Sequence, residues 1–570
     1  MENINKIYNK LKFICQILVI FILFCFIILT FKNVCYYYKT FRMNNTGFSF
    51  SIFKKAMTND VFFTIANGKE IVKNGFQEYD HLTWHENLKF TNSRWLFDII
   101  LFKIYTNFGF EGINVFTSVF TILIAFTLFY ICQKKTQNVL FSIISTLILI
   151  YLSKNAFLQR AQIVSFLLFM LEYILLESLF ENFAKIKAIV IFLIGILIAN
   201  IHASVYPIFL IIFLPFLAEI LIEKTKNQKI FKNKIVLEKT EKPKEFLALF
   251  VVCFFSGLVS PIGLSPYTDM FNGFFGISSK IIGELEPSTI YNNVQIYIVI
   301  VVILTELVIL NQIRLKDVLF LIGFSILSIT SFRGQFFLLL IGGGIISDFS
   351  FKLLNKIDFF NNKKVTITIF VLTSMLISEL YMTQVFFAHR YDYVPNEMYP
   401  VTICDYIVDN LDENNLRIYN GFNYGSYLEF RGIKSFIDSR SGMFSKEFND
   451  VSILEDWYKA HTEEGTFKEI LEKYDINYVI TLNTDLENKY LENNNDWKVI
   501  NKSENYKLYE KALQQWSALF YFFKWRYSIF YKIWIWSYII LWKFNINYIK
   551  TITFFYYSNL YIKSFFIWFV

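Results

Sequence analysis

The sequence predicts an α-helical polytopic membrane bundle of about 11 transmembrane helices, followed by a small extracytoplasmic α/β C-terminal domain. Three observations predict it. Of 570 residues, 55% are hydrophobic and 18% charged, too apolar and too continuous for a soluble chain. Apolar runs recur at roughly 20 residues, the length that crosses a hydrocarbon core of about 30 Å. Lys and Arg crowd into alternate loops, as the cytoplasmic loops of a membrane protein do.

The spans fall at 13–31, 113–132, 138–152, 162–180, 187–201, 205–222, 246–263, 294–310, 317–331, 335–348 and 365–381. The first, Phe13 to Phe31, follows Lys6, Lys10 and Lys12 and lacks a small-residue cleavage site, so it reads as a retained helix. One set of loops holds Lys134 and Lys135, Lys185 and Lys187, eight Lys from Lys224 to Lys244, Arg314 and Lys316, then Lys352, Lys356, Lys363 and Lys364. The opposite short loops hold Lys154, Arg160, Lys280 and Arg333. The first set and the N-terminus are therefore expected in the cytoplasm. An odd number of spans in a multi-pass cell-membrane protein then places the C-terminal domain outside. The divisions are 1–383 for the bundle with its external loop 32–112, 384–512 for the domain, and 513–570 for an aromatic-rich tail. That tail reads as extra membrane helices or as out-of-frame translation of AT-rich DNA.

Within the first loop, Phe53, Met57, Val61 and Ile65 recur at helical spacing and predict an interfacial helix over 52–72. Trp95 to Phe108 is too short to span and carries Asp98 and Lys103, which predicts a helix at the interface or against the bundle. In the C-terminal domain, 401–411 and 467–473 read as helices, 416–419, 426–430, 435–437 and 476–481 as strands, and 497–509 as a hairpin. Gly342-Gly-Gly344 predicts close helix packing inside a span.

Composition also excludes functions. The net charge of +8 is spread over loops with no basic-aromatic groove, so no nucleic-acid partner is expected. The six Cys form no C-x-x-C, which excludes a disulfide framework or a cysteine zinc site. G-x-G-x-x-G opening a helix, G-x-x-x-x-G-K-[ST], G-x-S-x-G and H-E-x-x-H are all missing from the sequence.

The chemistry concentrates in the first loop. Asp60, Asp80, His81, His85 and Glu86 could bind a metal, a phosphate-bearing substrate or an acceptor hydroxyl. Asp60 could equally cap a helix, and Asp80 could stand in a turn. His81 and His85 have ligand spacing only if their segment is helical. A second group lies at the external helix ends: Arg160 and Gln162, Asn200 and His202, Glu284 and Glu286, Arg333 and Gln335. Arg160 and Arg333 could clamp a phosphate or reach for headgroups. His202 suits a structural hydrogen bond as well as a substrate contact. Glu284 and Glu286, between Gly283 and Pro287, mark a kinked loop that closes over a site or ends a span. Asp438 and Arg440 either face a ligand crevice at a strand end or pair with each other.

An acidic residue soon after the first span, a Gly-x-x-Ile helix (Gly68 to Ile71) and a second Asp about twenty residues later resemble the GT-C superfamily of membrane glycosyltransferases. The family's pair of adjacent acidic residues is missing from this sequence. More closely, the chain resembles a group of bacterial membrane proteins. They share an Asp-x-Phe-[Phe/Tyr] and Asp-His-x-[Ser/Thr]-Trp-His loop with segments like Tyr419-Asn-Gly-Phe-Asn-Tyr-Gly-Ser-Tyr-Leu and Phe436-Ile-Asp-Ser-Arg440, over most of residues 10–511. The resemblance implies hexosyl or pentosyl transfer, inverting in type, from a polyprenyl-phosphate donor to a glycan, lipid or protein acceptor in the cell envelope. Asp60 and Asp80 take the catalytic places, and a divalent metal, Mg or Mn, is the expected cofactor, held by Asp60, Asp80, His81 and His85. A flippase of lipid-linked glycans and a non-enzymatic membrane scaffold are the alternatives.

Overall fold

The computed structural model describes residues 56–224, 234–275, 283, 285–356, 392–412, 415–463 and 465–512. The predicted spans 13–31 and 365–381, the tail from 513, and Glu284 lie outside the described residues. Two compact units divide them: one runs to Tyr490 and takes up Val499–Tyr509, and the other holds Leu491–Lys498 and the residues from Glu510.

The first unit opens with α1 (Asn59–Asn74), which follows an extended Thr58 and stops at Gly75, whose φ of 75° continues no helix. The predicted apolar stripe is there, in Val61 and Ile65, but Phe62, Phe63, Thr64, Ala66, Asn67 and Gly68 are buried too. The helix is packed between protein elements, and its cover extends beyond the predicted stripe. Its N-terminus is tied to the chain beyond residue 392: Met57 N–H donates to the Tyr393 carbonyl (2.9 Å) and Tyr399 O–H to the Met57 carbonyl (2.7 Å).

The bundle comprises α2 (Trp95–Thr136), α3 (Val139–Leu152), α4 (Ala161–Glu181), α5 (Lys185–Ile201), α6 (Tyr206–Lys224), α7 (Pro243–Ser256), α8 (Ser265–Phe275), α9 (Val294–Ile309), α10 (Leu315–Thr330), α11 (Gln335–Leu340) and α12 (Gly343–Lys356). Local chemistry sets several starts. The Asn138 side chain accepts from Phe141 N–H (3.0 Å) ahead of α3, and Pro243 occupies the first turn of α7, where no N–H is needed. Within α2 the stretch Trp95–Phe108 and the predicted span 113–132 are two helical segments that meet at Gly109, whose φ of 62° and ψ of −161° are not helical.

Among the described residues three helices, α2, α4 and Ala203–Glu223, are long and apolar enough to cross a membrane. The predicted span 335–348 is instead a bent pair, Phe332–Leu340 with Gly343–Lys356 at 61°. The glycines behave as the sequence suggested: a Cβ on Gly343 would meet Leu149 of α3, and one on Gly344 would meet Ile131 of α2. The predicted spans at 138–152, 187–201, 246–263, 294–310 and 317–331 are helices of 14, 17, 14, 16 and 16 residues.

Charged residues grouped in the sequence as one set of loops meet at one end of the bundle. Lys135 lies 3.7 Å from Glu177 and 3.3 Å from Asp317, and Arg314 binds Asp317 (2.7 Å), Glu177 (3.2 Å) and Glu238 (3.4 Å). Two short parallel strands, β1 (Ile235–Val236) and β2 (Ile313–Arg314), lie there as well.

From residue 392 the chain forms α13 (Val401–Asn410), β3 (Ile418–Tyr419), α14 (Gly425–Phe430), α15 (Lys446–Asn449), α16 (Ile453–Thr462), α17 (Phe467–Lys473), β4 (Tyr478–Leu482), α18 (Leu486–Glu492), β5 (Trp497–Lys502) and β6 (Tyr506–Lys511). The sheet order is β3-β4-β6-β5, with β3 and β4 parallel. The predicted strand 426–430 is the helix α14. Tyr427 and Phe430, three apart, both reach Phe62 of α1, at 5.0 and 5.3 Å between ring centroids, and helical spacing is what lets them do so.

The approach of α1 to α2 is closest at Gly68, where a Cβ would be driven into the Asp98 carbonyl and Phe102. Gly68→Ala is therefore expected to push the two helices apart and cost about 1–3 kcal/mol, read as a lower thermal midpoint of the purified chain.

Candidate functional site

Asp60 sits in the first turn of α1 and Arg160 immediately before α4, so the ion pair between them (2.8 Å) spans two elements. Both side chains are 16% exposed. Burial pushes the Asp60 carboxyl up, yet Arg160, then Arg94 and Arg333, with a hydrogen bond from Ser439, hold it below its ordinary range. Asp60 is thus an ionised carboxylate among three arginines. Arg94 precedes α2 and lies 5.2 Å over the Phe63 ring. Arg333 lies on the short turn Phe332–Gly334 between α10 and α11. A cavity of about 260 Å³ opens beside Arg333, lined also by Asn155, Leu158, Gln162, Phe332 and Phe336.

His202 ends α5 and is buried in the same field. Burial first, then the charges of Arg94 and Arg333, lower it to about 3, so its imidazole is neutral. Its Nδ1 lies 3.0 Å from Ser165 Oγ, the structural hydrogen bond the sequence allowed. Glu286 is placed by its backbone, whose carbonyl accepts from Phe332 N–H (2.9 Å) beside Arg333. Asn200 is engaged away from Asp60, accepting from Trp95 Nε1 (3.0 Å). Gln335 accepts from Asn293 Nδ2 (3.1 Å).

Asp80 has a different setting. Its Oδ1 is bound by Arg440, and its Oδ2 accepts from Thr83 N–H (2.9 Å) and Thr83 O–H (2.6 Å). Arg440 also binds Asp438 (2.5 Å) and Glu429 (3.1 Å) and lies between the rings of Phe63 and Phe90, at 4.8 and 4.9 Å. All four charged side chains are buried. Burial pushes Asp80 up, but Arg440 and the Thr83 hydrogen bonds win and hold it low. Glu429 goes the other way: burial, then repulsion by Asp438, push it well above its ordinary value. Asp438 and Arg440 therefore face each other, the local pairing that was the alternative to a ligand crevice.

The surrounding motif serves the same junction. Trp84 Nε1 donates to the Ile418 carbonyl (3.0 Å), His85 Nε2 lies 2.8 Å from the Phe436 carbonyl, and Trp84 N–H donates to Ser435 (3.3 Å). Asn420 holds the far side, accepting from Phe436 N–H (2.7 Å) and donating to the Ile437 carbonyl (2.8 Å). Gly425 must be glycine, because a Cβ would strike the Ile437 carbonyl. The two sequence motifs are halves of one buried interface, whose edge delivers Ser439 to Asp60.

The structure does not gather Asp60, Asp80, His81 and His85 into a ligand set. Asp80 is spent on Arg440 and Thr83, His81 lies 3.2 Å from the Gln77 side chain, and His85 is stacked on Trp84 (4.2 Å between ring centroids) with Nε2 on a carbonyl. Among the described residues, one group of three has ligand atoms within 4.8 Å of one another: His461, Asp485 and Glu487. Sequence reading missed Arg94, Ser439, Asp98 and Glu429 as site residues. Asp98 shares a buried network in which Asn67 Nδ2 donates to it (2.7 Å) and to Asn92 (3.0 Å).

No protein-family model matches the sequence, and no curated protein does. Solved structures do match. The oligosaccharyltransferase AglB of Archaeoglobus fulgidus, in complex with an inhibitory peptide and a dolichol-phosphate, has a TM-score of 0.50 at 12% identity over 77% of this chain and 67% of that one. The Archaeoglobus fulgidus oligosaccharyltransferase tethered to an acceptor peptide gives 0.47 at 10% identity, over 77% of this chain and 66% of that one. ArnT from Cupriavidus metallidurans, bound to undecaprenyl phosphate, gives 0.47 at 10% identity over 80% of this chain and 95% of that one. The fold is similar to that of the archaeal oligosaccharyltransferase. The chain spans about two thirds of the length of the archaeal structures, 67% and 66%.

Two predictions follow from the junction. Arg440→Ala leaves the buried Asp80 and Asp438 without their cation and is expected to cost about 3–5 kcal/mol, read as a large fall in thermal midpoint. His85 supplies a pH dependence. Burial lowers it from 6.5 to about 4, so the folded state binds fewer protons than the unfolded state between those values, and stability falls as pH drops from 6.5 towards 4. The midpoint should decline across that window, and decline less in His85→Gln.

Proposed function

We propose that the protein is a membrane glycosyltransferase that moves a hexose or pentose from a polyprenyl-phosphate donor to an acceptor on the outer face of the cell membrane. The observation that carries this reading is Asp60, an ionised carboxylate paired to Arg160 and held low by Arg94 and Arg333 as well. A site with several arginines around one carboxylate suits an anionic leaving group, because Arg presents a planar fork to phosphate oxygens. The GT-C-like fold and the cavity beside Arg333, lined by Leu158, Phe332 and Phe336 together with Asn155 and Gln162, support entry of a lipid-linked donor from the bilayer.

In the proposed reaction the acceptor oxygen attacks the anomeric carbon of the donor sugar. The bond from that carbon to the phosphate oxygen breaks, and its electron pair leaves on the phosphate. The acceptor proton passes to an Asp60 oxygen. While Asp60 is bound to Arg160 it is a weak base. Donor phosphate that takes over Arg160 lifts one of the charges holding the carboxyl low, so Asp60 becomes more basic when the donor is in place. Arg333 steadies the departing phosphate. Asp80, Asp438 and Arg440 position this site through the buried junction and do not touch substrate. Mg or Mn, where used, would find its carboxylate in Asp60, and Asp80, His81 and His85 do not complete that ligand set.

The test uses the purified full-length chain in lipid nanodiscs, a polyprenyl-phosphate sugar and an acceptor extract. Asp60→Asn is expected to lower turnover by about 10²–10⁴-fold in a chain that still folds and elutes as the wild type does. Arg160→Gln is expected to raise the KM for donor more than it lowers kcat. Full turnover by Asp60→Asn would remove the assignment. Movement of the intact donor between leaflets without product would favour a flippase.

A further inference from the structure

A second polar cluster is built from elements that give nothing to the Asp60 site. His461 stands in the last turn of α16, Asp485 in the turn after β4, and Glu487 in the first turn of α18. Each offers one ligand atom, and these lie within 4.8 Å of one another. His461 Nδ1 is 3.2 Å from Glu487 Oε1, and that oxygen also accepts from Tyr419 O–H (3.2 Å). The His461 ring is oriented by stacking on Trp457, with centroids 5.4 Å apart and planes 11° from parallel. Asp485 Oδ2 is fixed by Leu482 N–H (3.1 Å).

The independent observation is the other oxygen of Glu487. The residue is 2% exposed, and its Oε2 is buried with no hydrogen-bond partner among the described residues. An orphaned carboxylate oxygen at such depth is costly unless something positive meets it. His461 and Asp485 bring their own ligand atoms to the same carboxylate, so three ligand atoms from separate elements converge there.

We propose that His461, Asp485 and Glu487 bind one zinc ion that ties α16 to the β4–α18 turn. Zinc takes imidazole and carboxylate ligands together, whereas magnesium and calcium favour oxygen alone. The His461 side chain is 41% exposed, which leaves an entry path and room for water as a further ligand. Because the ligands come from three elements, binding adds to the stability of the folded segment. The site is structural and stands apart from any metal used at Asp60.

The experiment takes the full-length chain, strips it with chelator, and measures zinc by elemental analysis after gel filtration and by the thermal midpoint with and without zinc. One zinc per chain and a raised midpoint are expected, with magnesium giving no such rise. Loss of a ligand should weaken binding by about 100-fold or more, since even partners outside the ligand shell change metal affinity by about 10–100-fold. Glu487→Gln and His461→Gln should lose the zinc, and Asp60→Asn should keep it, which separates this site from the proposed reaction centre. Wild type that retains no zinc, or zinc retained equally by both ligand variants, overturns the proposal. If Glu487→Gln does not fold, His461→Gln, at a half-exposed position, decides alone.

Discussion

Arg440 carries its charge into a place where Asp80, Asp438 and Glu429 converge and where Phe63 and Phe90 exclude water from its faces. A buried ion pair is weak support for stability, because desolvation cancels much of the attraction, but it is strong support for a unique arrangement: each charge left unpaired would cost several kcal/mol. Asp80 comes from the first loop and the other three from the segment after residue 425. The network therefore fixes how those two stretches meet. Trp84 and His85 add hydrogen bonds along the same seam. Ser439, between two members of the network, is among the groups that hold the Asp60 carboxyl low, so the charge of the acidic site draws on this junction.

That dependence explains why α1 is buried so completely. A helix with an open face would hold Asp60 less firmly than one packed on several sides. Here Phe62 lies in an aromatic cluster with Phe110 of α2 and Tyr399, Tyr427 and Phe430 of the later segment, while Gly68 lets the Asp98 backbone come close. The ends of α1 are set by the chain following residue 392 and its flanks by α2 and α14. Catalytic groups held on packed helices keep their positions to within the tolerance that transfer chemistry requires.

Much of this frame was legible in the sequence, and the reasons for the exceptions are physical. The helical stripe of α1, the 3.6-residue pattern of the bundle helices and the strands at 478–482 and 497–511 follow from local periodicity. Asp60 and Arg160 were visible as an acidic residue in the first loop and a cation at a helix end. Asp80 looked like a second catalytic acid because its partner, Arg440, lies 360 residues away, and nothing local distinguishes a carboxylate that binds arginine from one that faces substrate. The helix at 425–430 was read as a short strand, although Tyr427 and Phe430 stand at helical spacing. Its actual constraint is the Ile437 carbonyl pressed against Gly425, a contact no window of sequence contains. The 61° bend before α12 follows from glycines that allow both close packing and a break, and the sequence showed only the first use.

The two ends of the bundle differ in a way that bears on the chemistry. At the Lys135 end, three cations, Lys135, Arg314 and Lys316, are ion-paired with three carboxylates, Glu177, Asp317 and Glu238. Among the described residues these charges pair with one another and tie the helix ends together. At the other end, Arg94, Arg160 and Arg333 act on Asp60, and Asp98 feels Arg94 as well. Three cations from three separate elements thus keep one half-buried carboxylate ionised, whereas at the Lys135 end cations and carboxylates pair with one another. Burial alone would push the Asp60 carboxyl up, so its charge depends on how the starts of α2 and α4 and the turn before α11 are held together.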